Sequence, residues 1–278
     1  AHLKNKITNE MLKFISFGSG SSGNSYLLMS DNTILMLDSG VGIRSMKRYF
    51  QEYGLSFTKI NAILVTHDHA DHVKSVGAIS NDFKIPVYAT EAVHKGIQKN
   101  YCVRKKINAA NKRVFLPGDD TIEIGDFKIT PFDVPHDSCG NVGYTIEYHD
   151  IVFGLMTDIG HITDTIRDNI RKCNYLVMEA NHDESMLQNG PYPQYLKDRI
   201  AGGNGHLSNV KCAQTICECY MKGLKHIWLC HLSEENNHPE LLRKTIEKEF
   251  QENGLRMGGD IEVDILRRRQ PTGIFNLL

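Results

Sequence analysis

Short apolar runs that end abruptly in polar residues recur along this chain of 278 residues. Lys13 to Phe17, Ser25 to Met29 and Thr33 to Leu37 read as strands, and a helical pattern follows from about Ile43 to Tyr53. Ala62 to Val65 is a short buried strand, and a helix starts near Asp71 and runs to about Ser80. Pro86 to Tyr88 is a strand and Glu91 to Lys99 a helix. Ile122 to Ile124 and Phe127 to Asp133 bracket the turn Gly125-Asp126. Gly143 to Tyr148, Ile151 to Met156, Tyr175 to Met178 and Ile227 to Cys230 are further strands. Helices are expected from about Thr163 to Lys172 and from about Val210 to Lys222, the second capped by Ser208 or Asn209. No linker, repeat or low-complexity tract divides the pattern, so a single domain is expected over residues 11–278. Residues 1–10 read as an upstream or vector-derived segment.

Candidate chemistry gathers where strands end. After Ala62 to Val65 comes Thr66-His67-Asp68-His69-Ala70-Asp71-His72, with three imidazoles and three carboxylate-bearing or hydroxyl neighbours in one turn of chain. His67 and His69 share a face because side chains two apart in extended chain do so. They can hold one metal, while Asp71 and His72 reach a second. Nitrogen with oxygen donors suits Zn, Fe or Mn better than a sulfur-seeking metal. One or two histidines in such a place would be a solvated loop; this density has the spacing of a two-metal centre. Other strands end in His136, Asp158 and His231, each followed by a loop that can admit substrate.

Composition narrows this little. Hydrophobic residues make up 41% and charged residues 23%, enough for a large core, and the formal net charge is −1. Global charge therefore does not announce a nucleic-acid binder. Arg104-Lys105-Lys106, Lys112-Arg113 and Arg267-Arg268-Arg269 read as solvated surface. No run approaches a membrane span. Seven scattered cysteines without a CxxC pair read as reduced thiols of a cytoplasmic protein. The loop Gly18-Ser19-Gly20-Ser21-Ser22-Gly23-Asn24 lacks the Lys-Ser/Thr ending of a P-loop, so no nucleotide cofactor is expected. Its backbone N–H groups can approach a phosphate, or it can be a mobile hairpin connection.

The motif His67-Asp68-His69-Ala70-Asp71-His72 resembles the HxHxDH motif of metallo-β-lactamase-fold hydrolases. The ordered set Glu179-Ala180-Asn181-His182, Gly190-Pro191-Tyr192-Pro193, Gly205-His206-Leu207-Ser208-Asn209 and His231-Leu232-Ser233-Glu234 is similar to the YycJ/WalJ (VicX) family. It also parallels the pattern of RNase Z-type nucleases, although no tRNA-clamping arm is evident and Gln194 stands where an aromatic residue is associated with the Tyr-Pro motif. The resemblance covers nearly all of Met11 to Leu278. It implies a four-layer αβ/βα metallo-β-lactamase sandwich of α/β class. It implies that His67, His69 and His136 hold one divalent ion, that Asp71, His72 and His231 hold a second, and that Asp158 bridges. A class B β-lactamase commonly has Cys at the place of Asp158, which disfavours an antibiotic-hydrolysing role. Asp38 becomes a residue that orients a metal-binding histidine.

By the same resemblance His206 stands near the leaving side of a scissile phosphate with Glu179 holding its tautomer. Asp68 is expected to orient the attacking water. Ser21, Ser22, Asn24, Ser208, Ser233 and Asn236 are expected to touch substrate. The function implied is two-metal phosphodiester hydrolysis, on DNA and from a 5′ end; the residues give the reaction class, and the resemblance gives polymer and polarity. A thioester or lactone hydrolase shares the seven metal ligands but has no obvious use for Glu179 and His206. A metal-free binding module would have lost ligands, and none is missing.

Overall fold

The computed structural model describes residues 10–278. The expectation for an upstream segment at residues 1–10 lies, apart from Glu10, outside these described residues. Two sheets stack face to face. The first uses β1 (Leu12–Gly18), β2 (Ser25–Ser30), β3 (Ile34–Leu37), β4 (Ala62–Leu64), β5 (Val87–Ala89) and β6 (Lys112–Val114). The second uses β7 (Ile122–Ile124), β8 (Phe127–Asp133), β9 (Val142–Tyr148), β10 (Ile151–Met156), β11 (Tyr175–Glu179), β12 (His226–Cys230) and β13 (Glu262–Ile265). A last strand, β14 (Phe275–Asn276), returns to the first sheet and pairs with β1. Each sheet is laid out in order, antiparallel across its early strands and parallel from β3 to β6 and from β10 to β13.

Alternation explains why both faces are buried. In β1, Leu12 and Phe14 enter the core between the sheets, where Phe153, Val177 and Trp228 meet them from the other side. Ile15 and Phe17, pointing the opposite way, pack under α1 (Ile43–Glu52). Trp228 is wholly buried, with its ring 4.8 Å from that of Phe14. The other helices are α2 (Ala70–Val73), α3 (Val76–Phe83), α4 (Glu91–Lys99), α5 (Asp164–Lys172), α6 (Glu184–Asn189), α7 (Gln194–Ala201), α8 (Asn209–Cys219) and α9 (Pro239–Glu252). Apolar residues of α1, α3 and α4 cover the first sheet and those of α5, α8 and α9 the second, giving the expected four layers. No helix among the described residues is long and apolar enough to cross a membrane.

Several ends are set by side chains. Thr90, Thr163 and Ser208 each accept a hydrogen bond from the backbone three residues on and start α4, α5 and α8. The helix expected from Asp71 to Ser80 is two helices. Ser75 N–H bonds to Ser39 carbonyl (3.0 Å) and Ser75 Oγ to Val41 carbonyl (2.7 Å), so tertiary partners replace the helical ones at the break.

Candidate metal centre

The carboxyl ends of strands from both sheets meet along one edge. From the first sheet, β4 delivers Thr66 to His72, and α2 begins with Ala70 directly after His69. Gly40 makes this possible: a Cβ there would lie 1.6 Å from Asp71 carbonyl oxygen. From the second sheet come His136 after β8, Asp158 after β10, Glu179 at the end of β11 and His231 after β12. The parallel register sets Met156 beside Met178 and Glu179 beside Cys230, so these ends lie side by side. Asp38, Asp158 and His231 all take left-handed backbone, with φ of 56°, 55° and 57°.

Each ring is aimed by a bond to its outer nitrogen. His72 Nδ1–H donates to Asp38 (2.7 Å), and Asp38 also accepts from Thr66 N–H and Thr66 Oγ–H, both at 2.8 Å. His67 Nδ1–H donates to Thr66 Oγ1 at 2.9 Å, so Asp38 aims two imidazoles, one directly and one through a hydroxyl. His136 Nδ1–H donates to Gly205 carbonyl (2.9 Å), and His231 Nδ1–H to Glu179 (3.0 Å). The Nε2 atoms of all four therefore point inward, those of His72, His136 and His231 to within 3.1–3.3 Å of Asn24, His69 and Asp71. Buried donors and acceptors are ordinarily satisfied, yet Nε2 of fully buried His67 has no partner among the described residues.

These atoms converge in overlapping groups. His67, His69 and His136 form one and Asp71, His72 and His231 another, with ligand atoms in each within 4.8 Å of one another. Asp158 lies between: Oδ2 is 3.2 Å from His72 Nε2, and Oδ1 is 3.5 Å from His136 Nε2. His136 Nε2 and His69 Nδ1 stand 3.3 Å apart. Lone pairs so crowded, with one left unpartnered, fit a cation and fit nothing else in the chain. The potential agrees. Burial alone would lower His231, but Asp158, the hydrogen bonds to Asp71 and Glu179, and the Glu179 charge push it up to about 10. Burial would raise Asp158, yet His231, His72 and His67 hold it well below the usual carboxylate range. The imidazole and carboxylate donors suit Zn, Mn or Fe.

Glu179 is buried and fully engaged. Oε1 accepts from His206 Nδ1–H (2.7 Å) and His231 Nδ1–H, while Oε2 accepts from the N–H of Ile159 (2.8 Å) and Leu207 (3.0 Å). Burial would raise its pKa, but His206 and His231 hold it at about 2. His206 keeps 20% of its side chain exposed, against 6% or less for His67, His72, His136 and His231. It faces the mouth of the site, a hollow of about 360 Å³ also lined by Ser21, Tyr192, Arg199, His231 and Ser233.

A relationship to known proteins follows the same outline. The beta-lactamase superfamily domain matches residues 33–231. The chain is 32% identical over 263 residues to exodeoxyribonuclease YycJ of Bacillus anthracis, covering 95% of this chain and 98% of that one. It belongs to the YycJ/WalJ family of the beta-lactamase superfamily. A second member, exodeoxyribonuclease WalJ of Streptococcus pneumoniae, is 32% identical over 251 residues, 90% of this chain and 93% of that one. The fold is shared with zinc-bound PqqB of Methylobacterium extorquens (TM-score 0.71, 15% identity, 94% of this chain and 99% of that one).

Other expected site residues of this family member lie elsewhere. Asp68 is turned away from the cluster: its carboxylate accepts from Cys139 N–H (3.2 Å) and lies against α4, where a Cβ on Gly96 would be 2.2 Å from Oδ2. The alternation that aims His67 and His69 inward aims Asp68 outward, so it does not orient an attacking water. Asn24 is fully buried, bonded to Gly20 and Asp71, and Asn236 is fully buried too; neither can touch substrate. Ser208 spends its hydroxyl on Glu184 (2.8 Å) and on capping α8. Ser22 accepts from Arg269 Nε at 3.0 Å. Ser21 and Ser233 do line the mouth.

The glycine-serine loop is neither mobile connection nor open phosphate cradle. The N–H groups of Ser19, Gly20, Gly23 and Asn24 already have acceptors within the protein, and Ser19 Oγ accepts from His231 N–H at 2.9 Å. Nor is the arginine run all solvated. Arg268 is half-buried and donates to the carbonyls of Leu232 (3.0 Å) and Ser233, bracing the loop after His231. Residues not anticipated from the sequence include Thr66, which relays Asp38 to His67, and Arg199, which pairs with Asp137 across the mouth. Thr66 was detectable as the residue between strand and motif; nothing local marks Arg268 or Arg199.

Proposed function

We propose that this protein is a two-metal phosphodiesterase that shortens DNA from an end. The observation that carries the reading is Glu179, whose single oxygen accepts from both His206 and His231. It ties a histidine that is 20% exposed and outside the two ligand groups to a histidine inside one. His67, His69 and His136 would hold one divalent ion and Asp71, His72 and His231 the other, with Asp158 reaching both. Two such ions would supply Lewis acidity to a phosphate oxygen and a nucleophile near neutral pH.

The chain's own residues do the rest. Glu179 holds the His206 ring by Nδ1, leaving Nε2 free to give a proton to the leaving oxygen. Burial would lower the His206 pKa, but the charge and hydrogen bond of Glu179 raise it, which favours the protonated ring that a proton donor needs. An alkoxide leaving group needs that proton, and a thiolate does not. A thioester hydrolase would therefore have no work for the pair. DNA and end-wise cutting rest on the names of the YycJ and WalJ relatives, and the seven unpaired cysteines fit a reducing, cytoplasmic setting. The test is incubation of metal-reconstituted protein with end-labelled single- and double-stranded DNA and RNA, beside a thioester. Stepwise loss of terminal nucleotides from DNA is expected. Turnover of the thioester without any of DNA would overturn the reading.

A further inference from the structure

His206 is the wall between two hollows. On one side lies the mouth, with His231; on the other lies a hollow of about 240 Å³ lined by His206, His182, Glu184, Leu187, Ala201 and Lys211. None of the last five reaches the ligand groups. His182 is 3% exposed, so what little it shows faces this hollow. Its tautomer is settled by its neighbour. Asn181 Nδ2 donates to His231 carbonyl at 2.9 Å, which leaves Asn181 Oδ1 to accept from His182 Nδ1–H at 3.3 Å. His182 Nε2 therefore carries a lone pair, and it has no partner among the described residues. Glu184 uses one oxygen to accept from Ser208 Oγ (2.8 Å) and keeps the other free on the same wall. Lys211 adds a donor and Leu187 an apolar surface.

This lining offers acceptors to amino and hydroxyl groups and one cation at the rim. A phosphate would meet the Glu184 carboxylate and an uncharged imidazole; a nucleobase with an exocyclic amino group meets acceptors of matching kind. The hollow is also smaller than the roughly 300–1,000 Å³ that encloses a whole ligand, so it takes one unit of a strand and not its continuation. We infer that it is the subsite for the terminal nucleoside of the DNA, on the leaving side of the cut. The inference rests on the reading of His206 as the residue facing the leaving oxygen. Hydrolysis then breaks the P–O bond to the nucleoside in the hollow. The oxygen of water joins phosphorus, the phosphate stays on the shortened strand, and the released unit departs with a hydroxyl protonated through His206. With room there for one unit, the enzyme would cut one unit at a time.

The test uses metal-loaded protein in H2(18)O under single-turnover conditions. Oligonucleotides end in an adenosine or in an abasic unit, and each rate is taken relative to hydrolysis of bis(p-nitrophenyl) phosphate by the same protein. Wild type should release the adenosine unit about tenfold faster than the abasic one, the worth of one or two hydrogen bonds. Glu184→Gln, and Ala201→Trp, which fills the hollow from an exposed position, should bring that ratio toward one. The heavy oxygen should appear on the phosphate of the shortened strand. Label on the released unit, a wild-type ratio near one, or an unchanged ratio in both variants would overturn the subsite. Wild type that hydrolyses bis(p-nitrophenyl) phosphate but no DNA would overturn the nuclease reading itself, a different result from any of these.

Discussion

The two sheets contribute to the centre in opposite ways. The first supplies His67, His69, Asp71 and His72 from one strand end, within six consecutive positions. The second supplies His136, Asp158, Glu179 and His231 from four strand ends, and His206 from the approach to α8. In the first, local geometry does most of the work: alternation orients two histidines, and the start of α2 turns Asp71 and His72 toward them. In the second, nothing works until β10, β11 and β12 lie in parallel with Met156 beside Met178 and Glu179 beside Cys230. A slip of one residue would turn every one of those side chains to the other face. A local motif tolerates a loose sheet; a dispersed one demands an accurate register.

Asp158 is where the contrast can be broken hardest, because it belongs to the second sheet yet lies within reach of His67 and His72 of the first. Asp158→Ala should deplete metal from both groups and cost several kcal/mol of transition-state stabilisation, about 10³-fold or more in single-turnover rate. Elemental analysis showing full loading of folded Asp158→Ala protein would sink the bridging role. His206→Ala addresses the second sheet's other task. It should keep the metals and the fold while slowing DNA cleavage by roughly 10²–10⁴-fold. A sulfur leaving atom at the scissile bond should recover much of that loss; equal losses on oxygen- and sulfur-linked substrates would leave His206 a positioning group. The smallest effect is expected inside the motif itself. Asp68→Asn should change the rate by about twofold at most, the scale of substitutions away from special sites. A hundredfold loss there would mean that Asp68 turns inward when substrate binds.

What was legible in the sequence divides along the same line. The strand ending in His67 to His72 was readable from periodicity and residue type, and so were the apolar runs that deliver His136, Asp158 and His231. Asp68 was misplaced because its identity as a carboxylate outweighed the alternation that turns it outward. Asn24 and Asn236 are expected to touch substrate from their place in polar loops beside the motifs, but both side chains are fully buried. The break between α2 and α3 depends on Ser75 reaching Ser39 and Val41, partners more than thirty residues away. The bracing by Arg268 depends on a segment that arrives from the far end of the chain. Contacts of that range leave no periodic trace.

The left-handed turns at Asp38, Asp158 and His231 bear on how such a centre can change over generations. A residue other than glycine costs about 1–2 kcal/mol in that conformation, and aspartate, asparagine and histidine are the side chains that enter it most readily. Each of the three positions is thus screened twice, once for what its side chain donates and once for what its backbone will accept. Few amino acids pass both screens. Replacing Asp158 with a softer thiolate donor would alter metal preference, but it would also place a less tolerant residue on a strained turn. Substitution is therefore freer of backbone cost at His67, His69, His72 and His136, whose backbone is ordinary, than at Asp158, where a cysteine would have to offset the strain of the turn by what its thiolate contributes.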